Sequence, residues 1–295
     1  MDASPSGGSY AADLLEGQIK AIVGLQSGVL KDQDPEPLHQ LRVRFRRVRT
    51  LLVQFGPALV LPERVNEQQL AKTGRRLGLV RDLDVLLGQL EKKYLPSLPS
   101  QEQLLLKPLL KSLRRGRKLA FAELTEELRS RRYLRLLAKL QAWLRQPLLT
   151  AMGEEPARNW LVEWKAPVLA GLLSHPGWRA SDPDRDGLGL HDLRKRIKQA
   201  RYGLTNLVAL ETQPLAPWLE RFKAMQDNLG ELNDLQVLEK ALGDHLIGEL
   251  AKELPELSQQ VQTHKGQLFQ RWQDQACWML AAPGRSGLHG LLSPG

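Results

Sequence analysis

Apolar residues recur every three to four positions over most of this chain, the spacing that lays them along one side of a helix. In 37–55, Leu41, Phe45, Val48 and Leu52 form one stripe; in 188–211, Leu193, Ile197 and Leu204 do the same. The short alternating runs between hairpin turns that mark strands are missing. Pro and Gly punctuate the pattern at Asp34-Pro35, Pro57 and Pro62, Pro96 to Pro99, Pro147, Gly153 to Pro156, Pro176 to Gly189, Pro214 and Pro217, and Pro255. The chain is therefore predicted to be all-α. Its expected helices lie near 10–31, 37–55, 63–92, 103–130, 131–146, 157–174, 188–211, 215–249 and 254–281. Residues 1–9 and 282–295 read as flexible tails.

The 295 residues are long enough for two ordinary domains or one large duplicated unit. Shifting the sequence by 152 positions favours duplication. His39-Gln-Leu-Arg-Val-Arg-Phe-Arg-Arg-Val-Arg49 then aligns with His191-Asp-Leu-Arg-Lys-Arg-Ile-Lys-Gln-Ala-Arg201. With no gap, the same shift lays Leu77-Gly78 on Leu229-Gly230, Asp82-Leu83 on Asp234-Leu235, and Val85-Leu86 on Val237-Leu238. A Leu- and Arg-rich chain can give one such match by chance; two in one register point to a repeat. The expected halves are 10–150 and 155–281, joined around Pro147 to Pro156.

Charge adds the chemistry. Lys and Arg exceed Asp and Glu by 42 to 33, a net charge of +9, which favours polyanionic partners and says nothing of fold. At about 100° per residue, His39, Arg42, Arg46 and Arg49 share a stripe beside the apolar one, and His191, Arg194, Lys198 and Arg201 repeat the plan. Arg44, Arg47, Lys195 and Arg196 widen the two cationic faces. A solvated basic face is the ordinary explanation of such a run. Here, however, the like charges repel at i+3 and i+4, almost no acids offset them, and the stripe occurs twice in one position relative to the core. Anion binding explains all three features, and the planar fork of arginine suits phosphate oxygens. The two histidines fit either a packed role within the bundle or a phosphate-donor role. Gly78 and Gly230 fall inside helices, where close approach of another helix accounts for them, a merely tolerated glycine being the alternative. Asp82 and Asp234 are expected to hold a neighbouring arginine in place, since no nucleophile, partner acid or metal cluster accompanies them.

Enzyme signatures are lacking: no P-loop, nucleophile elbow or Cys-x-x-Cys occurs, and the histidines show no metal-ligand spacing. No cofactor or metal is expected. The single Cys277 rules out an intramolecular disulfide framework and fits a reducing compartment. No stretch approaches the roughly 18 apolar residues of a membrane helix, so no membrane partner is expected and the cytoplasm is the default address.

In these residues the chain resembles the CHAD family, the conserved histidine α-helical domain. The matching elements are His39-x-Leu-Arg42-x-x-x-Arg46-x-x-Arg49 and Leu77-Gly78-x-x-Arg81-Asp82-Leu83-Asp84-Val85-Leu86. Their second-half partners are His191-x-Leu-Arg194-x-x-x-Lys198-x-x-Arg201 and Leu229-Gly230-x-x-Asn233-Asp234-Leu235. The resemblance covers about 10–281. It implies two four-helix bundles related by pseudo-two-fold symmetry, with basic residues lining a central cavity or pore. It also implies non-catalytic binding of inorganic polyphosphate, and association with polyphosphate granules for some members. Others are fused to a CYTH-type triphosphatase, whose Glu-x-Glu-x-Lys signature this chain lacks, so it reads as a stand-alone binding module. The expected ligand residues are His39, Arg42, Arg46 and Arg49 with His191, Arg194, Lys195, Lys198 and Arg201. Arg75, Arg76, Arg81, Arg114 and Arg117 extend the surface or are ordinary solvated charge, as are Lys72, Arg115 and Lys118. The second copy, with Lys198 for Arg46, Gln199 for Arg47 and Asn233 for Arg81, is expected to bind more weakly. Nucleic acid is the rival partner, because a phosphate stripe alone does not separate it from polyphosphate. Against it, no nucleic-acid-binding motif is present and, Tyr202 apart, no aromatic residue interleaves the arginines.

Overall fold

The computed structural model describes residues 4–246 and 248–292. Among them every regular element is helical: α1 (Gly7–Lys31), α2 (Pro35–Phe55), α3 (Glu67–Gly88), α4 (Ser100–Arg129), α5 (Arg131–Arg145), the single turn α6 (Ala151–Glu154), α7 (Leu161–Leu173), α8 (Gly187–Thr205), α9 (Ala216–Gly243), the single turn α10 (Leu250–Glu253), α11 (Pro255–Leu280) and α12 (Ala282–Gly290). Local chemistry sets the boundaries. Asp34 caps α2, its side chain accepting from the Glu36 N–H at 2.9 Å, and Pro35 fits the first turn, where a missing N–H costs nothing. Asn66 caps α3 and Ser130 caps α5 in the same way. α3 runs on through a π-helical turn, Gln89–Tyr94, before Pro96 ends it.

Two expectations are corrected. The tails are not structureless where they are described: α1 starts at Gly7, with the Gly7 N–H donating to the Glu155 carbonyl at 2.8 Å, and beyond Ala282 the chain forms α12, burying Leu288 and Leu291. The remaining parts of those two expectations, residues 1–3 and 293–295, lie outside the described residues, as does Ile247 of the expected helix 215–249. Second, α8 stops at Thr205 rather than 211, because Leu207 and Leu210 turn inward to be buried before Pro214.

The helices pack in a repeating order: α1 on α2, α2 on α3 and α3 on α4, then α7 on α8, α8 on α9 and α9 on α11. Two cores result. One joins α1, α2, α5 and parts of α3 and α4; the other joins α7, α8, α9 and α11 and takes in Leu86 to Leu110 from the ends of α3 and α4. α2 packs on α8, and α3 on α9. At this junction the buried Gln54 of α2 donates to the carbonyls of Trp164 at 3.3 Å and Gly203 at 3.1 Å, and accepts from Asn206 at 2.9 Å. Tyr10 donates to the Asn206 carbonyl at 2.6 Å. Lys165 and Glu211, both with side chains 1% exposed, pair at 2.6 Å. Burying such groups is tolerable only because each finds a partner, and those partners fix how the two cores meet.

Candidate functional site

The contact of α2 with α8 brings the two basic stripes together. Leu41, Phe45 and Val48 on α2 and Leu193, Ile197 and Ala200 on α8 are sunk in the two cores, so the adjoining stripes are held at the seam. Lys198 lies there, amid the positive charges of Arg46, Arg194, Arg42 and Arg201. Burial, reinforced by those four neighbours, pushes its ammonium down to about 6. Burial likewise pushes Arg42 and Arg194 down, although a guanidinium stays charged at any physiological pH.

Two carboxylates border the cluster. Asp82 of α3 pairs with Arg42 at 3.1 Å. Asp234 of α9 sits by Arg194; burial pushes it up, against the pull of that guanidinium. The positioning role expected of these acids fits the contact of Asp82 with Arg42; Asp234 forms no ion pair with Arg194 among the described residues. Arg46, Arg194 and Lys198 have no carboxylate within ion-pairing distance among the described residues, and the Arg194 Nε is buried without an acceptor. Equivalent positions meet across the seam. Gln54 bonds Asn206, and Arg46 bears on Lys198, Arg42 on Arg194 and Asp82 on Asp234, each pair 152 apart in sequence.

The other candidates separate clearly. His39 is half-buried near Arg81, with its Nδ1 unpartnered; burial first, then the Arg81 charge, pushes it below the usual imidazole range. His191 instead pairs its Nδ1 with Asn233 Oδ1 at 2.5 Å. Arg49 is taken by Glu67 and Arg201 donates to Gln226 at 3.1 Å. Arg76 pairs with Glu123 at 2.7 Å, Arg114 with Glu91 at 2.9 Å, and Arg117 is enclosed by Asp32 and Asp84. These last three are engaged in tying helices together, outside the seam cluster. Arg75 is exposed, and Lys195 pairs with Asp192 at 2.8 Å.

Two features escaped the sequence reading. Tyr202, 5% exposed, lies between Arg47 of α2 at 6.0 Å and Arg201 of α8 at 4.7 Å, and its ring face offsets the repulsion of two cations from facing helices. An aromatic beside Arg201 was visible, but its partner Arg47 is 155 positions away. The glycine expectation is also revised. A Cβ on Gly78 would stand 3.5 Å from the Arg42 guanidinium, so the close neighbour is a side chain rather than a helix, and Gly230 faces open space.

Among the described residues no three His, Cys, Asp or Glu side chains group as a metal site, and no helix is long and apolar enough to cross a membrane. In solved structures, the CHAD domain of the plant Ricinus communis matches with a TM-score of 0.66 and 27% identity, over 98% of this chain and 93% of that one. PptA from Streptomyces chartreusis matches with a TM-score of 0.65 and 18% identity, over 93% of this chain and 100% of that one, a likeness of fold. An uncharacterised protein of Mycobacterium tuberculosis is 27% identical over 223 residues, 74% of this chain but 39% of that protein's length. The model of the CHAD domain matches residues 13–243, so this chain belongs to the CHAD domain family.

Proposed function

We propose that this protein binds inorganic polyphosphate, without catalysing its turnover, in the basic seam between α2 and α8. The observation that carries this reading is the group Arg46, Arg194 and Lys198: three basic side chains that converge at the α2–α8 seam with no carboxylate partner among the described residues. Uncompensated buried charge is costly, and a chain of phosphates supplies the missing counter-charge at repeated short spacing. Membership of the family and the resemblance of its motifs support the same ligand. The meeting of equivalent positions 152 apart supports a pseudo-two-fold axis through the seam, because only at such an axis does a residue face its own counterpart. On this reading the two halves arose by duplication and form one shared basic cavity, and polyphosphate granules are a natural cytoplasmic location.

Nucleic acid remains the second reading, as a phosphate site alone admits both. Tyr202 argues against it: the one aromatic among the arginines is buried between two of them and offers no face to a base. Titration with polyphosphate of defined lengths, beside single-stranded and duplex DNA at matched charge and salt, separates the two. Tighter binding of polyphosphate is expected. Equal or tighter binding of DNA overturns the assignment.

A further inference from the structure

Two cations of the seam cluster have partners: Arg42 has Asp82, and Arg201 has Gln226 and the Tyr202 ring. Lys198 has none: among the described residues it forms no hydrogen bond and no ion pair. The charged groups that weigh most on it are all cations. From α2 come Arg42 and Arg46, and from α8 itself Arg194 and Arg201. Of the acids at the edge, Asp82 of α3 pairs with Arg42, and Asp234 of α9 lies near Arg194 without an ion pair among the described residues. On α7, Lys165 is spent on Glu211; in the turn before α8, His175 pairs with Asp192 and Arg179 is exposed.

We propose that Lys198 is a proton-binding site that fills only when a polyanion occupies the seam, so that ligand binding and proton uptake are coupled. This rests on the polyanion reading above and adds its regulation. In the free protein an ammonium at this place would stand among four like charges with nothing to oppose it, and its depression to about 6 leaves the neutral amine predominant at pH 7. Phosphate oxygens entering the seam reverse both causes, supplying opposite charge and hydrogen-bond acceptors, and return the group toward the ordinary lysine value of about 10.4. The proton comes from solvent, one per site, and no bond other than N–H is made. By linkage, affinity then falls by up to tenfold per pH unit as pH rises between those two values. An arginine here, as at the equivalent Arg46, stays charged and gives no such dependence. The lysine that makes the second stripe look like the poorer copy is, on this view, what makes the site respond to pH.

Calorimetric titration of the whole protein with long-chain polyphosphate at pH 8, in buffers of different ionisation enthalpy, counts the protons. The difference between wild type and the Lys198 variants isolates the share of Lys198 from that of other groups near the ligand. Close to one proton taken up by the wild type, and close to none by both Lys198→Arg and Lys198→Met, is the expected result. The arginine variant should bind more tightly than wild type at pH 8, with affinity nearly independent of pH. Polyphosphate binding with no proton uptake overturns the coupling and leaves the binding reading intact. Absence of any binding at pH 6 and low salt overturns the binding reading. As a measurement free of ligand, the Lys198 amine can be titrated in the unbound protein by nitrogen NMR; a transition near the ordinary lysine value overturns the coupling.

Discussion

At the scale of the residue, the fate of each charge depends on what stands opposite. Arg46 and Lys198 stand 152 positions apart, matched in the sequence register, yet an arginine stays charged at any physiological pH while Lys198 is pushed toward neutrality. The sign of the consequence for stability follows directly. Folded Lys198 binds its proton only below about 6, whereas the unfolded chain holds it up to about 10.4. Between those values the unfolded state carries the extra proton, so this residue makes stability rise with pH. Lys198→Met removes the burden and should raise the melting temperature most at pH 6–7, by roughly 2–4 °C for each kcal/mol relieved. The gain should shrink as pH approaches 10, and thermal melts of both proteins across pH 6–10 check it. Asp82 offers the opposite case. Asp82→Asn leaves Arg42 charged but untethered and should weaken polyphosphate binding through lost positioning, although the site becomes more positive overall; an increase in affinity would show that the carboxylate merely repels the ligand.

At the scale of the element, α2 and α8 serve both the cores and the seam, and substitutions can divide those duties. Arg46→Gln, Arg194→Gln and Lys198→Gln together remove three basic side chains without carboxylate partners and keep helix propensity similar. Circular dichroism and melting should show a fold retained or strengthened, while polyphosphate affinity drops by more than tenfold, each charge-assisted contact being worth on the order of 1.5–3 kcal/mol before screening. Collapse of the fold would return these side chains to structural charge. On the neighbouring helices the two glycines differ. Gly230→Ala, in open space inside α9, should stabilise by roughly 0.5–1 kcal/mol and leave binding unchanged. Gly78→Leu drives a side chain into the space of the Arg42 guanidinium and should weaken binding.

At the scale of the whole molecule, a net charge of +9 and a seam of largely buried cations act together. If the proposed function holds, long-range attraction steers a polyanion in and neutralisation at the seam releases its counterions, so affinity should fall steeply as monovalent salt rises. Affinity that is flat between low and physiological salt would remove the seam as the binding surface. Binding to the native state alone should also raise the melting temperature with ligand concentration, by about 2.7 kcal/mol of added stability at a hundredfold excess over Kd.

How much of this was legible in the chain follows from the range of the forces involved. Helical spacing, capping residues and proline breaks act over three to five positions, so α2, α4, α5, α7 and α11 could be placed to within a few residues from the sequence. The stripe of His39, Arg42, Arg46 and Arg49 was legible for the same reason, as was the 152-residue register. The ends were misread because burial of Leu288 and Leu291 overrides a composition that looks like a loose tail. The roles of the charges were beyond local reading. Whether an arginine is free or tied depends on a carboxylate 18 positions away for Arg49, 47 for Arg76 and 85 for Arg117. The sequence determined that two basic stripes would exist and which residues they would contain. Only the packing of α2 on α8 decided that the stripes meet, that Lys198 is buried among four guanidinium groups, and that Arg46, Arg194 and Lys198 lack partners, because solvent exclusion and charge pairing are properties of the assembled surfaces and of no single segment.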